Sequence, residues 1–534
     1  MNVVGFHIAN NLMHAVNAVL IFLIVALLMG KNRSGGIDLG RKNTFPSLPP
    51  LIAGLAFGLH TLNTQAVNYI SSRSVLLVTL FYLLSFYLYI RFRSSEEKPA
   101  LILFYTLSVV CYALSLLSKE IGITLPVMLI LYEFLTPAQP IQLGKELIPL
   151  TSRVATTGRI FLKYHIPFWG VSFIYLGIRK GLLRGSPVGI SVQNLVEGTG
   201  AARGVYVNIM TQLKADVLYL KLYLLPTNLT LDKLFPEVTS LSEPGFLFAL
   251  SIIIAILAYA IWVYKSIPLL SLGLVWFFIA ITPVTILPLN LIYNEHRTYL
   301  PIVGLSIATG VLAQRAVSFQ KYFIILFALF VALNGAGSIK RNRIWGNPVR
   351  LWSDVVKKNP FAYGALNTLG NSLAEEGDYD GAMEAYRRSM ALAPTWERTY
   401  YNIGMTLSHR GVDEKKAEYL REAITYYEKA LKLHPSSYRT YNSIAVNYYI
   451  MREYDKALEY INRGLERNPD FPYFYSNLGL ILSEGFGKRE EAIEAYRKAL
   501  SFDPTWVFPR ERLRELGVIS LGPILDTAQH RRVQ

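Results

Sequence analysis

Residues 1–340 consist mainly of apolar stretches that approach the length of a bilayer crossing. A helix needs about 20 mostly apolar residues to cross the hydrocarbon core, because each residue adds only about 1.5 Å. The stretches that come close to this requirement are 5–29, 50–61, 74–91, 99–117, 121–136, 164–181, 245–264, 268–288, 299–314 and 320–338. This pattern predicts an all-α fold with a polytopic membrane domain of about ten spans.

A further apolar segment, 205–226, differs from these stretches because it carries ionisable side chains. Lys214, Asp216 and Lys221 lie within it. Ionisable groups are costly in hydrocarbon. We therefore expect an interfacial or re-entrant helix here rather than a span.

The basic residues indicate how the membrane domain is oriented. Lys and Arg concentrate in the connections 30–49, 91–98 and 137–163, which the alternation of spans places on one side of the bilayer. The positive-inside rule makes that side the cytoplasm, so ten spans leave both termini of this multi-pass protein outside. A chain that begins outside, with Met1 close to its first span, also has the appearance of an N-terminal truncation.

The formal net charge of +16 does not by itself indicate nucleic-acid binding. Much of this charge lies in the connections between apolar stretches. The sequence has no zinc-ligand spacing, no RNP-like aromatic motif and no basic amphipathic arm, so no nucleic-acid partner is expected. Cys111 is the sole cysteine, and neither a metal site nor a cofactor is predicted.

Residues 345–515 contain a repeat of about 34 residues. Its markers are a proline at the end of each repeat, a small residue in the first helix and an alanine in the second. They recur as Pro360, Pro394, Pro435, Pro469 and Pro504, as Gly370, Gly404, Ala445 and Gly479, and as Ala382, Ala423, Ala457 and Ala492. This is the spacing of the tetratricopeptide repeat (TPR), and it predicts an α-solenoid of four repeats followed by a tail at 516–534.

TPR arrays present a concave surface to peptides and partner helices. The aromatic side chains that could line it are Tyr400, Tyr401, Tyr441, Tyr448, Tyr449, Tyr473 and Tyr475. For each of these tyrosines, packing between helices is the alternative that we favour. One repeat is seven residues too long, and the excess is expected between its two helices at 411–419.

Three polar clusters lie where apolar stretches end on the non-cytoplasmic side. Their ionisable residues are His60 and Arg73, then Lys119 and Glu120, then Glu295, His296 and Arg297, with Lys214 and Asp216 as possible additions. Ionisable residues at the membrane tend to be functional, although structural ion pairs explain any single one equally well. Cations that hold a phosphate and a carboxylate that acts as a base would suit a phosphate-bearing substrate.

The order of several segments resembles the transmembrane and TPR-containing protein O-mannosyltransferase family. These segments are GFHIANNLMHAVNAVLIFLI, AGLAFGLHTLNTQAVNYISSRSVLLVTLFYLLSFYLY, LSLLSKEIGITLPVMLILYEFL and VWFFIAITPVTILPLNLIYNEHRTYLPIVG, followed by the repeats. The resemblance implies a membrane glycosyltransferase of the GT-C fold, in a bacterial-type version that would lie in the inner membrane. It further implies transfer of a mannose-like hexose from a polyprenyl-phosphate donor to protein Ser/Thr hydroxyls outside the cytoplasm, with the TPR groove recruiting the acceptor protein.

The resemblance also implies roles for individual residues. At positions that match the family's motifs, substrate would be bound by His60, Arg73, Lys119, His296 and Arg297, and the catalytic carboxylate would be Glu295 or Glu120. The amphipathic segment, which lies outside these motifs, adds Lys214 as a binding residue and Asp216 as a third candidate for the carboxylate. The family usually places its acidic base in a loop before the GFH helix, whereas this chain begins at that helix, and the family's His-Pro-x-His-Thr-Glu-Ala segment is altered from His60 to Ala66. These departures keep a second hypothesis open, an inactive membrane-anchored TPR scaffold. A transporter is disfavoured because the ionisable residues cluster at one face.

Overall fold

The computed structural model describes residues 3–31, 48–95, 97–136, 164–182, 204–233, 235–287, 292–315 and 320–518. The chain forms two compact units, Met1–Asn347 and Pro348–Gln534. All regular elements in these described ranges are helical, which confirms the all-α fold with apolar membrane-type helices followed by TPRs. The basic connections 30–49 and 137–163 and the tail 516–534 lie largely outside the described residues.

Twelve helices are described in the first unit. They are α1 (Val3–Lys31), α2 (Leu48–Gly58), α3 (Thr64–Asn68), α4 (Arg73–Phe92), α5 (Lys98–Ser118), α6 (Leu125–Leu135), α7 (Ile166–Leu182), α8 (Val205–Leu224), α9 (Pro244–Val263), α10 (Pro268–Ile286), α11 (Pro301–Arg315) and α12 (Gln320–Trp345). Two short helical turns, Glu120–Thr124 and Glu295–Thr298, follow α5 and precede α11. These two turns carry four of the nine residues predicted for the site, and a fifth, Lys119, directly precedes the first turn.

Six of the described helices are long and apolar enough to cross a membrane. They are α1, α4, α5, α9, α10 and α12. The other four predicted spans correspond to α2, α6, α7 and α11, which have between 11 and 17 residues. Even 17 helical residues extend only about 26 Å, less than the roughly 30 Å of a hydrocarbon core. Among the described residues, six rather than ten helices therefore meet the requirement on their own.

Close backbone contacts hold the centre of the first unit together. A Cβ on Gly273 of α10 would lie 2.5 Å from the Gly304 carbonyl oxygen of α11, and one on Gly310 of α11 would lie 2.5 Å from the Pro49 carbonyl oxygen of α2. Small residues at helix contacts permit this approach, as is common in membrane helices. The packing fixes where α11 begins, and with it the turn Glu295–Thr298.

Helix α12 is joined to the connection after α2 by a polar contact. The backbone N–H of Thr61 donates to Oδ1 of Asn334 at 3.0 Å, and the Thr61 hydroxyl donates to the Asn334 carbonyl at 3.0 Å. The predicted span ended at residue 338, but α12 continues to Trp345. This extension adds two helical turns that bring Arg341 into the first unit.

The second unit is a series of antiparallel helix pairs. Its helices are α13 (Pro348–Lys358), α14 (Tyr363–Glu375), α15 (Tyr379–Leu392), α16 (Glu397–Asp413), α17 (Ala417–Leu433), α18 (Tyr438–Ile450), α19 (Tyr454–Arg467), α20 (Pro472–Leu480), α21 (Arg489–Phe502) and α22 (Val507–Glu515). Helices α14 to α21 form the four predicted repeats, and α22 is the C-terminal stub.

The small residue of each repeat is explained by the side chain that faces it. In three repeats a glycine of the first helix lies against a tyrosine ring of the second. These pairs are Gly370–Tyr386, Gly404–Tyr427 and Gly479–Tyr496. In the remaining repeat the corresponding residues are Ala445 and Ile461, both fully buried. The repeat that has the larger residue in its first helix therefore has a smaller side chain, isoleucine rather than tyrosine, at the corresponding position of its second helix.

The seven extra residues of the second repeat do not form a longer loop between its helices. Helices α16 and α17 have 17 residues each, whereas α14 and α15 have 13 and 14. The insertion thus lengthens both helices by about one turn and leaves a short connection at 414–416. Arg410 of α16 connects this helix pair to the preceding repeat, because its Nη1 forms an ion pair with Oδ1 of Asp380 at 2.8 Å.

The predicted preference of the tyrosines for packing holds at three equivalent positions. The hydroxyls of Tyr400, Tyr441 and Tyr475 donate to the carbonyl of the proline that ends the preceding repeat, at 2.8, 3.3 and 2.9 Å. These hydrogen bonds satisfy backbone carbonyl groups in the turn that follows each second helix. The three tyrosines therefore join one repeat to the next.

Candidate functional site

A cavity of about 190 Å³ lies where several helices of the first unit end. We call it the polar cavity. Its lining residues are Val75, Lys119, Glu120, Ile121, Pro283, Val284, Leu287, His296, Arg297 and Leu300. Four of the nine site residues predicted from the sequence, namely Lys119, Glu120, His296 and Arg297, are thus brought together.

Lys119 supplies one of the two cations of the polar cavity. It directly follows α5, and its backbone is extended, which ends the helix and starts the turn Glu120–Thr124. Burial lowers the pKa of Lys119, and the positive charge of Arg297 lowers it further, while Glu120 partly offsets both. In the described part of the chain, no carboxylate lies within ion-pair distance of its ammonium group.

His296 and Arg297 are held in place through the backbone of the turn Glu295–Thr298. The backbone N–H of His296 donates to Oε1 of Gln65 at 2.9 Å, and Nη1 of Arg297 donates to the Ile292 carbonyl at 3.0 Å. Burial, followed by the charges of Lys119 and Arg297, lowers the pKa of His296 to about 3. The imidazole is therefore neutral at physiological pH, and the cavity combines two cations with a neutral ring.

Glu120 is the carboxylate residue among those that line the polar cavity. Its side chain keeps 38% of its solvent exposure, and Nη1 of Arg179 on α7 lies 3.8 Å from its Oε2. This contact is longer than a hydrogen bond, and solvent screens it. The Glu120 carboxylate is thus available to a molecule in the cavity.

Glu295 precedes the cavity residues but is turned away from the cavity. Its carboxylate is fully buried, with Oε2 2.9 Å from Nη2 of Arg341 and Oε1 accepting from the backbone N–H of Thr230 at 2.5 Å. The hydroxyl of Tyr293 also donates to Oε1, at 3.3 Å. These contacts occupy the oxygens that a catalytic carboxylate would offer to a substrate.

Asp216 is buried on α8 beside the C-terminal end of α10. Its Oδ2 accepts from the Thr285 hydroxyl at 3.3 Å. Burial raises the pKa of Asp216 to about 8, since the charged form is poorly solvated there. Asp216 does not belong to the lining of the polar cavity.

His60, Arg73 and Lys214 also lie outside the lining of the polar cavity. Nε2 of His60 bonds to the Tyr223 carbonyl at 2.8 Å, and its ring stacks on that of Tyr223. Nε of Arg73 donates to Oδ1 of Asn10 at 3.1 Å. Nζ of Lys214 forms an ion pair with Glu243 at 2.6 Å. Each of these three side chains has a structural partner within the first unit.

Three residues that shape this region are not predicted from the sequence, namely Arg341, Thr230 and Arg179. Arg341 was overlooked because the predicted span ended before it. Its side chain is 6% exposed, which is unusual for an arginine, and its partners include the carboxylate of Glu295 and the carbonyl of Leu229. If residues 339–345 are taken as helical, Arg341 lies two turns after Asn334 and therefore on the same side of α12, which faces the protein.

Together, the apolar helices, the polar cavity and the repeat unit define a multi-pass membrane protein with a C-terminal TPR array. Profiles of the tetratricopeptide repeat family match residues 363–396, 397–436 and 443–505. The chain is 23% identical to Protein O-mannosyl-transferase TMTC3 of Homo sapiens over 93% of its own length and 55% of that protein. The resemblance predicted from the sequence is confirmed, because the chain is similar over most of its length to transmembrane and TPR-containing protein O-mannosyl-transferases.

Other comparisons cover parts of the chain. Protein O-mannosyl-transferase TMTC4 of Homo sapiens is 35% identical over 23% of this chain and 16% of its own length. The crystal structure of a thermophilic TPR protein of Thermus thermophilus covers 37% of this chain and 95% of that chain with 21% identity and a TM-score of 0.29. The chain spans about half the length of the curated relatives that it matches over most of its own length.

Proposed function

We propose that this protein is a membrane glycosyltransferase that transfers a hexose, such as mannose, from a polyprenyl-phosphate donor to Ser/Thr hydroxyls of an acceptor protein. The observation that carries the proposal is the meeting of Lys119 and Arg297 in the polar cavity, where Glu120 is the carboxylate residue of the lining. Two cations facing a single carboxylate leave net positive charge, which favours a phosphate.

In the proposed reaction the acceptor hydroxyl oxygen attacks the anomeric carbon of the sugar. A new C–O bond forms as the bond between that carbon and the phosphate oxygen breaks, and the phosphate leaves with the electron pair. Lys119 and Arg297 stabilise the charge that develops on the phosphate. The hydroxyl proton passes to Glu120, which acts as the general base.

We assign the base to Glu120 rather than to Glu295 or Asp216 because of their contacts. Glu295 is neutralised by Arg341, and Asp216 is buried against Thr285. His296, neutral between two cations, can donate one N–H to the phosphate. The TPR unit would recruit the acceptor protein, and the site would open to the extracytoplasmic side.

A direct test uses the full chain reconstituted in lipid nanodiscs with polyprenyl-phosphate [³H]mannose and a Ser/Thr-rich model protein. The proposal expects radiolabel on the model protein, release of polyprenyl phosphate, and loss of both in Lys119→Met/Arg297→Met. Arg398→Met in the TPR unit is an exposed control outside the cavity. Absence of transfer and of donor binding by the folded wild-type chain would reject the proposal.

The second candidate is a membrane-anchored TPR scaffold without catalysis. The observation in its favour is that His60, Arg73 and Lys214, all predicted to bind substrate, have structural partners instead. A scaffold would retain its partner proteins when the polar cavity is altered. Capture of the same partners by wild type and by the double variant, with no transfer by either, would favour this function.

A further inference from the structure

The buried carboxylate of Glu295 joins three separate segments of the first unit. It belongs to the turn Glu295–Thr298, it accepts the backbone N–H of Thr230 from the segment after α8, and it pairs with Arg341 of α12. Arg341 adds a second contact to that segment, because its Nη1 donates to the Leu229 carbonyl at 2.8 Å. The guanidinium thus holds the carboxylate and the neighbouring backbone at once.

The geometry of this contact depends on arginine. A guanidinium presents several N–H groups in a rigid planar fork, whereas an ammonium is a single point charge. The two side chains are almost entirely buried, at 6% and 0% exposure. Removal of one partner from such a pair leaves an uncompensated buried charge, which drives the segment to rearrange.

The residues that directly follow Glu295 line the polar cavity. His296 and Arg297 extend from the same short turn, and the turn spans only Glu295–Thr298. In so short a turn, the direction of each side chain depends on where its neighbours are held. A shift of Glu295 therefore displaces Arg297 relative to Lys119.

We infer that Arg341 is a positioning residue of the polar cavity, which acts through Glu295 to hold His296 and Arg297 in place for the donor phosphate. The inference rests on the proposed function for the identity of the ligand. The relation between Arg341 and the turn is independent of it. Arg341 itself does not line the cavity.

The chain offers a matched control in Arg93 and Glu133. Nε of Arg93 lies 2.6 Å from Oε1 of Glu133, and the two side chains are 2% and 5% exposed. This pair lies at the other end of α4 from Val75, which lines the cavity, so about 27 Å of helix separates them. Arg341→Met and Arg93→Met each remove the cation of a buried pair, but only the first is next to the turn.

The experiment compares wild type, Arg341→Met, Arg93→Met and Arg341→Lys as full chains in nanodiscs. Thermal unfolding measures the stability of each variant. The dissociation constant for polyprenyl phosphate reports whether the polar cavity still binds its ligand. Amide hydrogen exchange over 292–298 reports how firmly the turn is held. Both methionine variants should unfold at lower temperature. Only Arg341→Met should weaken polyprenyl-phosphate binding tenfold or more and speed exchange at His296 and Arg297, and Arg341→Lys should recover part of both.

The outcomes separate this inference from the proposed function. If the two methionine variants change binding and exchange to the same extent, Arg341 contributes only to stability and the inference is wrong. If wild type binds no polyprenyl phosphate, the proposed function fails. The exchange at 292–298 still decides whether Arg341 positions the turn, because that measurement needs no ligand.

Discussion

A guanidinium nitrogen of Arg179 lies 3.8 Å from a carboxylate oxygen of Glu120, and both side chains remain in contact with solvent. A pair of this length and exposure contributes little to stability, since water screens it and side-chain entropy opposes it. Glu295, in contrast, is fully buried against Arg341. Of these two carboxylates, Glu120 is therefore the one whose oxygens are accessible to a molecule in the polar cavity.

Glu120→Gln is expected to abolish most of the transfer while leaving donor binding intact. The amide has the same shape as the carboxylate but cannot accept the hydroxyl proton. Loss of a general base slows reactions by about 10²–10⁴-fold. The measurement is kcat for hexose transfer together with the dissociation constant for polyprenyl phosphate.

Arg179→Met is the control for this prediction, because it removes the partner of Glu120 without altering the carboxylate. It should change kcat far less than Glu120→Gln and should leave the unfolding temperature nearly unchanged. Transfer at the wild-type rate by Glu120→Gln would remove Glu120 from the proposed mechanism.

Lys119→Met is expected to weaken binding of the donor phosphate. Hydrogen bonds to charged groups contribute about 1.5–3 kcal/mol, so the dissociation constant should rise by roughly 10–100-fold. The effect should be larger at low ionic strength, because salt screens the attraction between Lys119 and the phosphate that the variant loses. Titration of nanodisc-embedded protein with polyprenyl phosphate at two salt concentrations checks both expectations.

Lys214→Met provides the comparison for Lys119→Met. Lys214 is paired with Glu243 rather than directed into the cavity, and both members keep about a quarter of their exposure or more. Its replacement should leave the dissociation constant within about twofold of wild type. Equal weakening by the two variants would contradict the difference between their environments.

The sequence identifies residues at the ends of spans but not their partners. Lys119, His296 and Arg297 were found because ionisable groups next to apolar stretches are conspicuous, and the same signal selected His60 and Arg73. Only the tertiary structure separates them, since His60 stacks on Tyr223 from α8, which is distant in sequence. Arg341 gave no such signal, because it lies among other polar residues between the last apolar stretch and the repeats.

The repeat unit was predictable because its spacing repeats, and helical phase alone determines where the markers lie. The length of the second repeat shows the limit of that argument. Seven additional residues can form a loop or extend two helices with the same spacing of prolines. Helical phase does not distinguish these two outcomes, and the structure shows that the additional residues extend both helices.

Asp216 is expected to make stability depend on pH. Its pKa is raised to about 8 in the folded chain, whereas an unfolded aspartate titrates near the ordinary value of 3.8. Between about pH 4 and pH 8 the folded state therefore binds one proton more than the unfolded state, so stability falls as pH rises through this window. Asp216→Asn removes the titrating group, so the stability of this variant should fall less between about pH 4 and pH 8 than that of wild type.

Thermal unfolding of the solubilised full chain at about pH 5 and about pH 9 tests this expectation. Asp470→Asn alters an exposed aspartate of the TPR unit and should retain the wild-type pH dependence. Parallel unfolding temperatures for wild type and Asp216→Asn across the window would show that Asp216 is not protonated in the folded chain.

Gly404→Ala is expected to destabilise the second repeat although alanine favours helices. The new Cβ would lie 2.7 Å from the ring of Tyr427. That ring is 2% exposed and its hydroxyl bonds to Ser408 at 3.3 Å, so it has little room to move. Overpacking costs about 1–3 kcal/mol, which exceeds the gain of roughly 1 kcal/mol in helix propensity.

Gly364→Ala is the matched control, because the nearest atom to its new Cβ is 4.0 Å away on Trp396. There the propensity gain is unopposed, so stability should stay constant or rise by up to about 1 kcal/mol. The rate of hydrogen exchange at the amides of α17 measures the stability of the second repeat within the full chain. Faster exchange in Gly404→Ala with no change in Gly364→Ala is the expected result. Equal exchange in both variants would mean that the ring of Tyr427 moves aside and that alanine fits at position 404, which would contradict the prediction.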